Sequence, residues 1–491
     1  MEDAHICQPG LYAEEKKAAG GGSNGKDDKG ASASSPSSSS SGYRRIAVPR
    51  HSLFAVYDGH GGSFAAEYSG RNFCRVLSRQ DKFVRYAKIA AREEEEGAGG
   101  VSGEEGGEGG GSGDAPSSPA AGDDVGSKTT DGGARDAAQR QREHLTLLED
   151  ALRDAFVELD REIMRAMKGL PNEGSDEPYG EIADGGEGGR GVDDESKDAP
   201  PGRAAPPDED SGTTAVVVVL TPRWIVCANA GDSRAVYSKS TADVSSSAPS
   251  SPSVASDAAP GGGGGSYNNK VVPLSYDHKP DDEEEERRIR DAGGYVSGGR
   301  VEGDLAVSRG LGDFRFKDVD TVLAGAHSRP DPAKGGGGGD GGAASHSMMR
   351  PDDQMVSPVP DIIVQNRDPS KDEYIIVACD GIWDVQSNLE SVRTVSEIFA
   401  EGESDLGVLC EEVLDVCLRR GSKDNMTSLV VRLEALRTGE GDGVSARRKL
   451  LETNKRQEGD GNGGQGEAVG GQTESEKRKR EEQFSGSPGY S

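Results

Sequence analysis

Short apolar segments alternate along this chain with long blocks of glycine, serine, proline, alanine and acid, and this alternation limits what can fold. Stretches such as the serine-rich 34–41, the glutamates at 93–96 and the glycines at 335–339 offer no apolar surface to bury, so they cannot join a packed core. The blocks cover about 16–42, 93–140, 171–210, 238–268, 325–357 and 435–491. Most pieces between them are too short to hold cores of their own. The expectation is one domain over 1–434, interrupted by disordered inserts, with a disordered polar tail over 435–491.

Charge narrows the partners. With 57 basic and 87 acidic side chains the net charge is −30, which opposes nucleic acid and anionic membrane surfaces. No run of about 18 apolar residues is present to span a membrane. Met1-Glu2-Asp3-Ala4-His5 carries acid where a signal peptide needs base, so a cytoplasmic or nuclear protein is expected, not a secreted one. The cysteines (Cys7, Cys74, Cys227, Cys379, Cys410, Cys417) form no CxxC pair and read as reduced, buried thiols. A basic run at 477–480 reads as a solvated charge run, with nuclear import as the alternative.

The apolar segments are mostly strands. Residues 52–57 end in Asp58-Gly59-His60-Gly61-Gly62; 213–220 contain four consecutive valines, as in a strand buried on both faces. Residues 224–230 return after Thr221-Pro222, and 234–237, 374–379 and 427–433 add further strands. Leu145, Leu148, Leu152, Phe156, Leu159 and Ile163 recur at helical spacing, predicting a helix over 142–168. Others are expected over 63–79, over 283–291 with Glu283 to Glu286 as a solvated face, over 388–400 capped by Asn388, and through Leu406, Leu409, Val413 and Cys417. Hairpin strands without a βαβ rhythm point to an α+β sandwich.

The aspartates fall at strand ends. Asp58 and Asp380 each follow an apolar strand and precede glycine; Asp232 lies in the turn after 224–230, and Asp424 stands just before 427–433. Asp-Gly alone is ordinary turn chemistry. Four such carboxylates brought to one rim would repel unless a hard divalent cation neutralised them, and all-oxygen donors suit magnesium or manganese. His60, two residues after Asp58, is placed to give or take a proton there.

These residues belong to a longer ordered set. Phe54-Ala55-Val56-Tyr57-Asp58-Gly59-His60-Gly61-Gly62 resembles the signature of the metal-dependent type 2C protein serine/threonine phosphatases. Met1-Glu2-Asp3-Ala4-His5, Ser211-Gly212-Thr213-Thr214-Ala215, Asn229-Ala230-Gly231-Asp232-Ser233-Arg234, Asp277-His278-Lys279-Pro280, Ala292-Gly293-Gly294, Leu305 to Asp313, Asp380-Gly381-Ile382-Trp383-Asp384-Val385 and Ser422-Lys423-Asp424-Asn425-Met426-Thr427 are similar to its other motifs, in the same order. The resemblance implies a two-layer antiparallel β-sandwich flanked by pairs of helices, with two magnesium or manganese ions at one rim and room for a third, weaker one. It implies Asp58 bridging both ions, the Gly59 carbonyl on one, Asp380 and Asp424 on the other, and Glu2 and Asp3 holding metal-bound waters. Asp232 and Asp384 match positions that take the third ion beside Asp380, and His60 the general acid. The implied reaction is hydrolysis of phosphoserine and phosphothreonine in protein substrates by a water activated between the two metals, without a phosphoenzyme. A monomer is expected.

Other motif residues carry softer expectations. Asp313 reads as a carboxylate capping backbone amides, Trp383 and Met426 as core, and Arg234 as the partner of an internal carboxylate. Family members place a phosphate-binding arginine before the first acidic motif. Nothing precedes Met1 here, so a sequence cut short at an internal methionine is expected, its opening strand missing, with Arg44, Arg45 and Arg50 available as substitutes. The competing reading is a catalytically weakened, phosphatase-like binding protein. The acid set Asp58, Asp380 and Asp424 argues against it, and no substrate-binding residue is assigned.

Overall fold

The computed structural model describes residues 2–17, 42–99, 130–171, 210–241, 269–324, 349–444 and 448–449. Most of the expected inserts, most of the 435–491 tail and the basic run at 477–480 lie outside the described residues.

Two antiparallel sheets face each other. Their strands are β1 (Ala4–Gln8), β2 (Ser52–Tyr57), β3 (Ala215–Leu220), β4 (Trp224–Ala230), β5 (Arg234–Ser240), β6 (Asn269–Pro273), β7 (Asp361–Asn366), β8 (Asp372–Ala378) and β9 (Ser428–Arg432). One sheet runs β1-β2-β3-β4-β7 and the other β6-β5-β8-β9. The longer helices are α1 (Phe64–Ser78), α2 (Asp81–Gly99), α3 (Thr130–Met167), α4 (Glu283–Asp291), α5 (Asn388–Ala400) and α6 (Leu406–Arg419). The first three cover the outer face of the five-stranded sheet, and α5 and α6 that of the four-stranded sheet. The architecture is the α+β sandwich expected.

The period-two alternation of strand side chains explains the valine run. Val216 and Val218 point between the sheets, where they meet Val56, Tyr237, Ile375 and Val377. Val217 and Val219 point outward among Phe73, Leu152 and Phe156 of the helical layer. A strand with apolar layers on both sides has no face left for a polar residue. Trp383 is buried and donates its indole N–H to the Ala378 carbonyl at 2.8 Å, a core residue as expected, while Met426 is only half-buried and packs at the edge of the same cluster. Among the described residues no helix is long and apolar enough to cross a membrane.

Several expectations are corrected. The 142–168 helix begins at Thr130, and α2, which the sequence pattern did not suggest, runs through the acidic 93–96. Charged side chains are tolerated there because α2 buries only one stripe, including Phe83, Tyr86 and Ala87. The fold continues beyond 434: Leu436 and Val444 are buried against α5 and α6, so the polar tail cannot begin at 435. Ser387, not Asn388, caps α5, in a reciprocal capping box with Glu390. Asn388 instead accepts a hydrogen bond from Arg234 at 2.6 Å. Glu285 is not on a solvated face; it is buried, bonded to Arg288 at 2.7 Å and Arg309 at 2.7 Å. These guanidinium groups and the Ser308 hydroxyl outweigh burial and hold its carboxyl down to about 2. Cys7 is exposed, unlike the buried Cys227, Cys379 and Cys417.

Candidate metal and phosphate site

Strand register brings the acidic turns together. Ala4 pairs with Tyr57, which carries Asp3 to the level of Asp58. Ala378 pairs with both Arg234 and Ser428, which sets Asp380 beside the turn holding Asp232 and the segment after Asp424. Thr214 ties the turns: its N–H donates to the Asp58 carbonyl at 2.9 Å, and its hydroxyl bonds the Ser233 hydroxyl at 2.7 Å.

Two glycines allow the loops to close up. A Cβ on Gly59 would lie 2.2 Å from the Glu2 carbonyl oxygen, and one on Gly381 would lie 2.1 Å from that of Asn425. Glycine follows Asp58 and Asp380 because another backbone occupies the space of a side chain.

The result is a cleft of about 390 Å³ lined by Asp58, Gly59, His60, Thr214, Asp232, Asp380 and Asp424, among others. Carboxylate oxygens of Asp58, Asp232 and Asp380 lie within 4.8 Å of one another. Asp424 shares the cleft but is not in that tight triad. Glu2, Asp3 and Asp384 do not line it. Asp3 nevertheless sits close behind: it accepts from the Thr427 hydroxyl at 2.6 Å, while its other oxygen is buried with no hydrogen-bond partner.

Burial first, then the charges of Asp380, Asp3 and Asp232, push the Asp58 carboxyl up to about 9. Asp380 is raised too, by burial and then Asp232. Asp58 and Asp380 are in hydrogen-bond contact, so the two carboxyls titrate as a pair. Packed carboxylates whose negative charge is disfavoured, with an unsatisfied oxygen on Asp3, are a donor set suited to hard divalent cations.

His60 is fixed by a residue assigned otherwise from sequence. Its Nε2 lies 2.8 Å and 3.0 Å from the two carboxylate oxygens of Asp313. Asp313 is buried and adopts a left-handed backbone, φ +52°, a strained choice for a side-chain-bearing residue of the kind found at working sites. Burial alone would push the imidazole down, but the Asp313 carboxylate outweighs it and the net shift is upward. Asp313 thus grips His60 as well as lining the cleft. The two are 253 positions apart, so nothing local signalled the contact.

The suggested phosphate grips are elsewhere. Arg45 stacks on Tyr12 and pairs with Glu14, Arg50 pairs with Glu94, and neither they nor Arg44 line the cleft. The guanidinium groups lining it belong to Arg300 and Arg315. Arg300 donates to the Asp304 carbonyl at 2.6 Å, and Arg315 pairs with the Asp304 carboxylate. Arg234 is bound to Asp277 at 2.7 Å, the internal pairing expected.

Comparison with known proteins supplies the family. The family model for protein phosphatase 2C matches residues 192–426, which take in Asp232, Asp380 and Asp424. A probable protein phosphatase 2C of Caenorhabditis elegans is 30% identical over 391 residues, covering 78% of this chain and 67% of the relative. The chain belongs to the protein phosphatase 2C family. Protein phosphatase 2C homolog 2 of Schizosaccharomyces pombe is 33% identical over 46% of this chain and 47% of its own length. Protein phosphatase 1B of Bos taurus is 37% identical over 45% of this chain and 34% of its own. The chain thus spans two thirds of the first of these relatives and about half or less of the other two. Membership places it among the protein serine/threonine phosphatases.

Proposed function

We propose that this chain hydrolyses phosphoserine and phosphothreonine in proteins. The observation that carries this reading is the meeting of Asp58, Asp232 and Asp380 with His60 in one open cleft. Magnesium or manganese held by Asp58, the Gly59 carbonyl, Asp380 and Asp424, with Asp232 alongside, would neutralise the phosphate and acidify a water. Burial and mutual repulsion disfavour the charged carboxylates of Asp58 and Asp380, and a bound cation would relieve that repulsion. His60 donates its proton to the departing serine or threonine oxygen, and Asp313 keeps the ring protonated and oriented. Arg300 and Arg315 are the cleft's guanidinium groups for the phosphate or for acidic residues beside it. The net charge of −30 favours a protein over a nucleic acid as partner.

The direct test is phosphate release from phosphoserine and phosphothreonine peptides. Release is expected with manganese and is lost in excess chelator; undiminished release in chelator refutes the reading. Binding of phosphoprotein without release, manganese present, would instead support the binding-protein alternative.

His60 and Asp313 make a finer prediction. His60→Gln should lower kcat for a phosphoserine peptide by about 10²- to 10⁴-fold. It should matter far less for an aryl phosphate whose leaving group departs readily as an anion. Asp313→Asn removes the charge that raises the imidazole, so the alkaline limb of the kcat profile should move to lower pH. Equal losses on both substrates for His60→Gln would rule out proton donation to the leaving group.

A further inference from the structure

The three close carboxylates are not equivalent. Carboxylate oxygens of Asp58 and Asp380 lie within 4.8 Å of each other and of Asp232, and among the described residues no cationic side chain is hydrogen-bonded to Asp58 or Asp380. Asp232 already has a cation: the Lys279 ammonium lies 2.5 Å from its Oδ2. The ammonium therefore stands at the edge of the triad, on a carboxylate that an incoming metal would also use.

This lysine is delivered by a fixed backbone. The His278 N–H donates to the Gly231 carbonyl at 3.1 Å, and the Gly231 N–H to His278 Nδ1 at 3.2 Å. The Ser308 N–H donates to the His278 carbonyl at 3.3 Å, and the Lys279 N–H to Asp282 at 3.1 Å. On the other side, Asp277 is held by both ends of the Arg234 guanidinium, at 2.8 Å and 2.7 Å. The segment carrying Lys279 is thus bonded to the turn carrying Asp232. The side chain itself is 40% exposed, while Asp232 is 5% exposed, so the ammonium has solvent to retreat into and the carboxylate does not.

We infer that Lys279 is a tethered counter-ion that competes with a metal ion for Asp232. Cations are drawn first to Asp58 and Asp380, to which no cationic side chain is bonded among the described residues, whereas Lys279 is bonded directly to Asp232. A further cation at Asp232 must displace the Lys279 ammonium and therefore binds more weakly. The inference rests on the reading of this cleft as a cation site. It adds that one residue of the chain sets the order of filling.

The experiment is manganese titration of the full chain by calorimetry, with bound ions counted by equilibrium dialysis, for wild type, Lys279→Met, Lys279→Gln and Lys423→Gln. Lys423 stands beside Asp424 and controls for loss of a nearby charge alone. Lys279→Met and Lys279→Gln should each tighten the weakest manganese site at least tenfold, leaving the tighter ions within about threefold. Lys423→Gln should change the weakest site far less. Thermal melts establish that each variant is folded, and the glutamine variant keeps the test available if methionine disturbs the turn. The inference is overturned if the weakest site is unchanged in both Lys279 variants, or if Lys423→Gln tightens it equally. No manganese bound by wild type would remove the cation-site reading itself, and with it the inference.

Discussion

Asp58→Asn is expected to abolish activity and, without metal, to make the protein more stable. The first effect follows from position: Asp58 is the most shifted carboxyl in the cleft and touches both Asp380 and the Asp3–Asp232 field. If the cleft holds two cations as proposed, losing this carboxylate should raise the barrier by about 4 kcal/mol, a rate loss of roughly a thousandfold. The second effect follows from the pKa. Burial and acidic neighbours push Asp58 up to about 9, so near pH 8 the folded chain holds a proton that the unfolded chain releases. Stability from that proton is full below about pH 4 and is lost as pH rises toward the folded value. Asparagine does not titrate, so at pH 8 in chelator the variant should melt several degrees above wild type, the gap closing as pH falls. Manganese should reverse the order, because only wild type gains from binding it. Wild-type activity in the variant, or a lower melting point in chelator at pH 8, would show that the cluster is not a repelled, cation-seeking site.

What the sequence made legible is local. The strand ends at Asp58, Asp232, Asp380 and Asp424 could be found because period-two apolar runs and glycine turns are written within a few residues of one another. The four valines announced a strand buried on both sides for the same reason. What stayed hidden depends on partners far along the chain. Asp313 looks like any loop carboxylate until the fold places it against His60. Glu285 is one of four consecutive glutamates, and only Arg288 and Arg309 distinguish it from its solvated neighbours. Lys279 gains meaning from the Gly231 turn, 48 positions earlier. Arg300 and Arg315 lie close to Asp304 in sequence, but that they line the cleft is a matter of tertiary packing. Composition misled at 93–96 and beyond 434, because a helix needs one apolar stripe and a tail needs only Leu436 and Val444 to dock.

The second large effect is on stability, and it reaches the site from behind. Lys317 and Asp160 form a fully buried pair, with side chains 0% and 2% exposed and Nζ 2.8 Å from Oδ1. The same ammonium donates to the Gly310 carbonyl at 2.9 Å, and the same carboxylate oxygen accepts the Gly312 N–H at 2.8 Å. Helix α3 is thereby fastened to 310–312, the segment that leads into Asp313 and so into His60. Lys317→Met leaves Asp160 buried without its counter-charge, which should cost about 3–5 kcal/mol and lower the melting temperature by roughly 10 °C. Pairing it with Asp160→Leu removes the stranded charge and should restore most of that stability. The double variant still lacks an acceptor for the Gly312 N–H, so the loop and Asp313 lose their anchor. Its kcat on a phosphoserine peptide should stay depressed, with smaller losses on an aryl phosphate, the pattern expected when His60 is misplaced. A Lys317→Met protein melting within about 2 °C of wild type would show that the pair contributes little. Full activity in a stably folded double variant would show that α3 supports the sheet without aligning the proton donor.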